Sequence, residues 1–180
     1  MQYGTQRYPE TRIINSLEHY KPIIMNDIIQ NPPDYRNDTV LPLHPNVRAN
    51  AWAVDAACSG NPGPMEYQCI DLATGAQVFH FGPIRGTNNI GEFLAIVHAL
   101  ALMDKQGITD KTIYSDSYNA ILWVNKKHCK TKLEHTPETE KLHEIIRRAE
   151  TWLRGHSVKV PIEKWETAKW GEIPADFGRK

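Results

Sequence analysis

The sequence lacks three features that would each narrow its function. It has no excess of either charge, since 21 lysines and arginines balance 21 aspartates and glutamates; any nucleic-acid binding must therefore use a local basic patch. Its cysteines, Cys58, Cys69 and Cys129, stand in no zinc-site or redox spacing, which predicts free thiols in a reducing cytoplasm. It has neither an N-terminal signal pattern nor an apolar run long enough for a bilayer, which predicts a cytoplasmic protein without a membrane partner.

The segment before residue 49 differs in texture from the rest. Prolines at positions 9, 22, 32, 33, 42 and 45 disfavour long regular elements there. Apolar residues at 13–17 and 23–29 favour packing against something over complete disorder. We therefore predict that residues 1–48 are an extension of unknown role, which could be a packing arm, an oligomer contact or a substrate clamp, and that residues 49–180 form one domain. No obligatory protein partner is evident.

Hydrophobic patterning predicts the first half of this domain. Residues 51–57 read as a buried strand, and residues 65–72 and 77–81 as a hairpin about Thr74-Gly75. Residues 90–103 carry apolar side chains at helical spacing over a wide face.

The second half continues the alternation. Residues 112–115 predict a fourth, central strand, followed by a short helix through Trp123. A helix should begin at Thr136-Pro137-Glu138, which offers a capping hydroxyl and a proline at the first helical position, and run to Gly155. Residues 158–165 read as the last strand. The order predicts an α/β fold with helices against a mixed sheet.

Four acids lie at notable places in these elements. Asp55 interrupts an apolar strand, which requires a cation, a solvent opening or an edge strand with the carboxylate in water. Glu92 falls in the first turn of the predicted helix, where a carboxylate can also serve as a cap. Asp116 closes the fourth strand, where α/β sheets place ligands and where turns also begin. Asp176 lies in the last pentad, where charges are commonly just solvated.

Three motifs, in this order, carry a resemblance to a known family. They are Asp55-Ala56-Ala57-Cys58-Ser59-Gly60-Asn61-Pro62-Gly63-Pro64, then Thr87-Asn88-Asn89-Ile90-Gly91-Glu92, then Tyr114-Ser115-Asp116-Ser117. The stretch from Asn50 to Lys180 resembles type 1 ribonuclease H, and its tail resembles a bacterial branch with a short C-terminus. The resemblance implies a ribonuclease H-like fold with a five-stranded sheet, three strands antiparallel and the others parallel. It implies a catalytic domain at residues 49–180, an endonuclease that cuts the RNA strand of RNA–DNA hybrids and leaves 5′-phosphate and 3′-hydroxyl ends.

The same resemblance makes Asp55, Glu92, Asp116 and Asp176 the catalytic residues and the ligands of two Mg²⁺ ions, for which Mn²⁺ may substitute. Two such ions about 3.5–4 Å apart can activate water and neutralise the leaving oxygen of a phosphodiester. Magnesium prefers oxygen ligands and keeps several waters, so a few carboxylates suit it.

Contacts to the hybrid are implied for residues of the first two motifs. Asn88 and Asn89 resemble a pair that touches both strands in the minor groove, with Asn61, Thr87 and Cys58 nearby; the ribose 2′-hydroxyl is the group that separates RNA from DNA. From the residues alone, one of Asn88 and Asn89 could instead cap the helix. Nothing beside Cys58 in the sequence would lower the pKa of its thiol, so we interpret it as a neighbour of the substrate and not as a nucleophile.

A local basic patch follows the fourth strand. Trp123, Lys126 and Lys127, with Lys130 and Lys132 behind them, resemble the family's basic protrusion that grips the DNA strand. Phosphate contacts through these lysines would weaken with salt. Alternatively, Trp123 is an ordinary core residue and the lysines belong to a solvated loop.

The sequence departs from the family pattern near its end. The family's loop histidine has no counterpart in residues 166–175, where Lys169 or Glu172 could substitute, and the usual final helix is reduced to the four residues after Asp176. A competing hypothesis is therefore a catalytically weak or inactive hybrid-binding module of the same fold. A nuclease acting on DNA is a third, against which the pair Asn88-Asn89 argues.

Overall fold

One mixed sheet organises the computed structural model, which describes residues 41–178. Its strand order is β3-β2-β1-β4-β5, with β1, β2 and β3 antiparallel and with β4 and β5 parallel to β1. This arrangement confirms the predicted fold class. The strands are β1 (Ala51–Cys58), β2 (Gly63–Asp71), β3 (Gln77–Gly86), β4 (Thr112–Ser115) and β5 (Ile162–Lys164).

Within residues 41–178, four helices accompany the sheet: α1 (Asn88–Gln106), α2 (Tyr118–Asn125), α3 (Glu140–Gly155) and α4 (Thr167–Trp170). Helix α1 begins after Thr87, whose hydroxyl oxygen accepts a hydrogen bond from the Ile90 amide at 3.3 Å. It ends at Gly107, whose φ of 71° lies in the left-handed region that glycine adopts at little cost. Among the described residues, every helix falls short of the length and hydropathy that a bilayer span requires.

The two faces of the sheet bury different clusters. Alternation along β1 sends Trp52 and Val54 to one face and Ala51 and Ala53 to the other. We call the first the helix face, because α1 and α3 cover it with most of the core. The second is the tail face, covered by residues 41–47 and by the chain after β5. Its buried members are Val47, Ala51, Ala53, Leu72, Tyr114, Trp165, Ile173 and Ala175.

The strand order corrects two expectations about the sheet. The central strand is β1 and not β4, so Asp55 lies in the middle of the sheet with 6% of its surface exposed. The edge-strand alternative for Asp55 is therefore wrong. Strand β3 also runs to Gly86, beyond the predicted residue 81, because its pairing with β2 continues to Gly63.

Two predicted boundaries in the second half are wrong for local reasons. Helix α3 begins at Glu140, because the Thr139 hydroxyl accepts from the Thr136 amide (2.9 Å) and donates to the Glu134 carbonyl (2.6 Å), which holds residues 134–139 in a turn. The last strand occupies only Ile162–Lys164 and not residues 158–165. Pro161 has no amide hydrogen to donate to a ladder, and only its carbonyl meets β4.

Candidate active site

Three predicted acids converge at one end of the sheet. Asp55, Glu92 and Asp116 each offer a carboxylate oxygen, and these oxygens lie within 4.8 Å of one another. The strand register explains why the two aspartates lie side by side. Val54 pairs with Ser115 in the parallel strands β1 and β4, so the residues that follow them, Asp55 and Asp116, are at the same height along the two strands. Glu92 joins them from α1, on the opposite layer of the molecule.

Glu92 is fixed by a contact between the layers. One carboxylate oxygen, Oε1, accepts a hydrogen bond from the Ala56 amide at 2.7 Å. The other, Oε2, is buried, and no hydrogen-bond donor of residues 41–178 reaches it. Since α1 begins at Asn88 and is capped by Thr87, Glu92 lies beyond the first turn. The interpretation of Glu92 as a helix cap is therefore wrong, as is that of Asn88 or Asn89 as the capping residue.

Burial and mutual repulsion perturb these acids. Burial, with the charges of Asp116 and Asp176, raises the pKa of Asp55 to about 6 against the lowering effect of contacts with Glu92 and Ala56. The pKa of Glu92 is raised well above its usual value, first by burial and then by the neighbouring Asp55. A cation within reach of all three would relieve both costs.

This donor set fits a hard divalent cation. All ligand atoms are carboxylate oxygens, and the unpartnered Glu92 Oε2 is a buried acceptor that needs a positive partner. The cluster opens into a cleft of about 510 Å³ that Asp176 also lines, together with Cys58, Ser117 and Phe177. The structure thus brings the fourth predicted acid to the same cleft.

Cys58 lines this cleft with a neutral thiol. Its sulfur donates to the Gly60 carbonyl at 3.0 Å. Burial raises the pKa of its thiol, which disfavours the thiolate that a nucleophile needs. The raised pKa argues against a nucleophilic Cys58, and its place beside the substrate stays a prediction.

A larger groove of about 830 Å³ continues from the cleft. Asn88 lines both. Among the predicted contact residues, Asn61, Thr87, Asn88, Asn89 and Trp123 line the groove.

Trp123 belongs partly to the core and partly to the groove, and its contact with substrate stays a prediction. It is half-buried and packs edge-on against Phe93, with ring centroids 6.3 Å apart, while it also lines the groove. Lys126 and Lys127 are exposed at the end of α2 but do not line the groove, whereas Lys130 and Lys132 do.

Arg85 is a groove residue that sequence reasoning missed. It lies near the end of β3, two residues before Thr87, and lines the same groove as Asn88 and Asn89. The sequence held a usable signal: an arginine beside the Thr87-Asn88-Asn89 motif on an alternating strand. The prediction ended that strand too early to use it.

Carboxylates that lie on or directly after two neighbouring parallel strands and on a facing helix, beside a groove that carries arginine and lysine, are typical of metal-binding enzymes that act on phosphate esters. A family model described as RNase H matches residues 48–165. The chain belongs to the ribonuclease H family and is a nuclease of that kind. Its placement in a bacterial type 1 branch with a short tail stays a prediction.

Two curated relatives and one solved structure are examples of the proteins that this chain is similar to. Ribonuclease H of Ehrlichia ruminantium (strain Gardel) is 30% identical over 125 residues, which cover 69% of this chain and 80% of the relative. Ribonuclease H of Rickettsia typhi (strain ATCC VR-144 / Wilmington) is 28% identical over 127 residues, 68% of this chain and 82% of the relative. Among solved structures, an RNase H1 from the halophilic archaeon Halobacterium salinarum NRC-1 aligns with a TM-score of 0.43 and 22% identity, over 66% of this chain and 86% of that one.

Proposed function

We propose that this chain hydrolyses the RNA strand of RNA–DNA hybrids with two divalent cations, leaving 5′-phosphate and 3′-hydroxyl ends. The observation that carries the proposal is the carboxylate trio of Asp55, Glu92 and Asp116. It lines a cleft that adjoins the larger groove, and Asn88 lines both. Membership of the ribonuclease H family supports the same reaction. We assign Asp176 to the same set, because it lines the cleft and its charge raises the pKa of Asp55.

The carboxylates would hold Mg²⁺, with Mn²⁺ as a substitute. When bound, two such ions supply a nucleophilic water at neutral pH and neutralise charge on the leaving oxygen. The chain's own part is positional. Glu92 is tied to Ala56 through Oε1 and keeps Oε2 for a ligand, while Asp55 and Asp116 are aligned by the parallel register. This preorganisation avoids rearranging the ligands when substrate arrives.

Recognition of a hybrid would fall to the groove. The amides of Asn61, Asn88 and Asn89 can donate and accept, so they can read a 2′-hydroxyl on one strand and its absence on the other. Trp123 can pack its exposed ring edge on a sugar. Arg85, Lys130 and Lys132 place positive charge along the groove, where the phosphates of the second strand would lie.

A cleavage assay tests the proposal directly. End-labelled hybrid, duplex DNA and duplex RNA are each incubated with the full chain in Mg²⁺, in Mn²⁺ and in chelator. We expect that only the RNA strand of the hybrid is cut and that cutting depends on the cation. A phosphatase should remove a 5′-phosphate from the products.

The matched control compares two aspartates. Asp116→Asn should abolish cleavage. Asp104→Asn should keep it, because Asp104 is an acid on α1 that forms an ion pair with the exposed Lys159 at 3.6 Å and does not line the cleft. Cleavage of duplex DNA at the same rate, or binding of hybrid without any cleavage, would contradict the proposal and favour the other hypotheses.

A further inference from the structure

We propose that residues 41–48 and Gln68 are positioning elements that hold the C-terminal tail in place, so that Asp176 enters the carboxylate cleft. The inference rests on the proposed role of Asp176 as a metal ligand. The family match spans residues 48–165, so the C-terminal tail lies outside it and residues 41–48 lie outside it or at its limit.

The tail is anchored by apolar contact with the segment before β1. Ile173 and Ala175 are buried with Val47 in the tail-face cluster, against which Leu41, Leu43 and Trp170 also pack. The ring of His44 lies 6.1 Å from that of Trp170. The N-terminal and C-terminal segments thus share one small core.

The N-terminal segment is in turn fastened to the sheet. The Arg48 amide donates to the Tyr114 hydroxyl at 3.0 Å, and Tyr114 is a buried residue of β4, two positions before Asp116. The ring of Tyr114 also meets Trp165 and Trp170 edge-on, with centroids 5.6 and 6.0 Å away. A displacement of residues 41–48 would therefore loosen the support of the tail.

Beyond this cluster, a row of side chains crosses the sheet under the tail. Asp55 pairs with Gln68 in β2, and Gln68 pairs with His80 in β3. Directly paired residues place their side chains on the same face as neighbours. Gln68 Nε2 donates to the Ala175 carbonyl at 2.7 Å, and the ring of Phe177 lies 6.3 Å from that of His80. Asp176 is thus held from both sides.

Gln68 is itself fixed by Gln77, whose Nε2 donates to Gln68 Oε1 at 2.9 Å. This fixes which end of the Gln68 amide faces the tail. The tail has little stability of its own, since α4 has 4 residues and an isolated turn of helix is unstable in water. Asp176 Oδ2 accepts a hydrogen bond from the Gly178 amide at 2.9 Å, and we infer that the contacts of the neighbouring residues contribute to the position of Asp176.

The test measures cation affinity and tail order on the full chain. Gln68→Met keeps the length of the side chain and removes the donor to Ala175, while Leu43→Ala weakens the apolar anchor. We expect each to raise the Kd for Mn²⁺, measured by calorimetry, by roughly tenfold, the scale found for residues that orient metal ligands. Trypsin cleavage after the exposed Lys169 should accelerate in both.

A matched control separates positioning from general stability. Ile108→Ser removes a half-buried apolar side chain from the helix-face core, far from the tail. It should lower the melting temperature and leave the Mn²⁺ Kd and cleavage at Lys169 unchanged. An equal change of Kd in Ile108→Ser, or an unchanged Kd in both Gln68→Met and Leu43→Ala, would overturn the inference.

A double-mutant cycle identifies the route of the effect. If Gln68 acts through Asp176, Gln68→Met should cost no further Mn²⁺ affinity in an Asp176→Asn background. Additive losses would overturn the inference. Its failure is distinct from that of the proposed function: wild-type protein that binds Mn²⁺ but cuts no hybrid refutes the function, whereas wild-type cleavage with an unaffected Gln68→Met refutes only the positioning.

Discussion

The helix face and the tail face of the sheet differ in size and in what they support. The helix face buries α1 almost completely, from Ile90 to Met103, and carries most of the core. Among the described residues, the hydrophobic cluster of the tail face has eight buried members, contributed by β1, β4 and segments of irregular structure. Yet Asp55, and with it the row through Gln68, lies on the smaller face. The difference teaches that most of the core lies on the helix face, whereas Asp55 and the side chains beside it lie on the tail face and Glu92 joins them from the helix layer.

The largest expected effect is a loss of cleavage activity without a loss of folding stability. Asp116→Asn removes one charge from the cleft, and we expect cleavage to fall by at least about 10²–10³-fold, the scale for removing one preorganised electrostatic group. Circular dichroism and melting should match the wild type. A variant that keeps full Mg²⁺-dependent cleavage would contradict the assignment of Asp116.

Core truncations compare the two faces directly. Leu94→Ala on the helix face, where Leu94 is 0% exposed, should lower the free energy of unfolding by about 2–5 kcal/mol in urea titrations. Ile173→Ala on the tail face, 1% exposed, should cost less in global stability because the tail can separate locally before the rest unfolds. Ile173→Ala should nevertheless lower cleavage more. Equal stability losses with equal activities would remove the distinction between the faces.

Without metal, Asp55 should destabilise the folded state at neutral pH. Its folded pKa of about 6 exceeds the ordinary 3.8, so the folded state binds the proton more tightly, and stability present below pH 4 is lost as the pH rises through 6. In chelator, Asp55→Asn should therefore be more stable than the wild type at pH 7 by roughly 1–3 kcal/mol. Unfolding at pH 4, 5, 6 and 7 measures this. Identical pH profiles for the two proteins would show that Asp55 is not perturbed.

The smallest effect concerns the groove beyond both faces. Lys130→Ala and Lys132→Ala should each reduce the slope of log Kd for hybrid against log salt by about 1 per lost phosphate contact. Lys126→Ala and Lys127→Ala, which remove charges outside the groove, provide the matched comparison and should leave the slope closer to that of the wild type. The reverse order would support the predicted role of Lys126 and Lys127 as substrate-binding residues.

Local patterns predicted the helix face well, because a wide apolar helix and alternating strands bury side chains according to period alone. The proposed metal ligands could not be predicted from hydrophobic periodicity alone. Asp55, Glu92 and Asp116 could be proposed because each lies in a motif of the family, and the parallel register of β1 and β4 then accounts for their meeting.

The tail face could not be predicted in the same way. Its partners are far apart in sequence: Gln68 meets Ala175 and Arg48 meets Tyr114 through single hydrogen bonds that leave no periodic trace. The start of α3 was missed because Thr139 forms hydrogen bonds that compete with helix geometry. Pro161 could have shortened the last strand, since a residue without an amide hydrogen interrupts a ladder.

The hydrogen bond from the Ala56 amide to Glu92 connects the sheet to α1, as does a second, buried hydrogen bond between the Tyr67 hydroxyl and His98 Nδ1 at 3.1 Å. A cation bound by Glu92, Asp55 and Asp116 would cross-link helix α1 to the sheet. Loading the site should therefore slow the separation of α1 from the sheet, so that hydrogen exchange in the middle of that helix would report occupancy at a distance from the cleft.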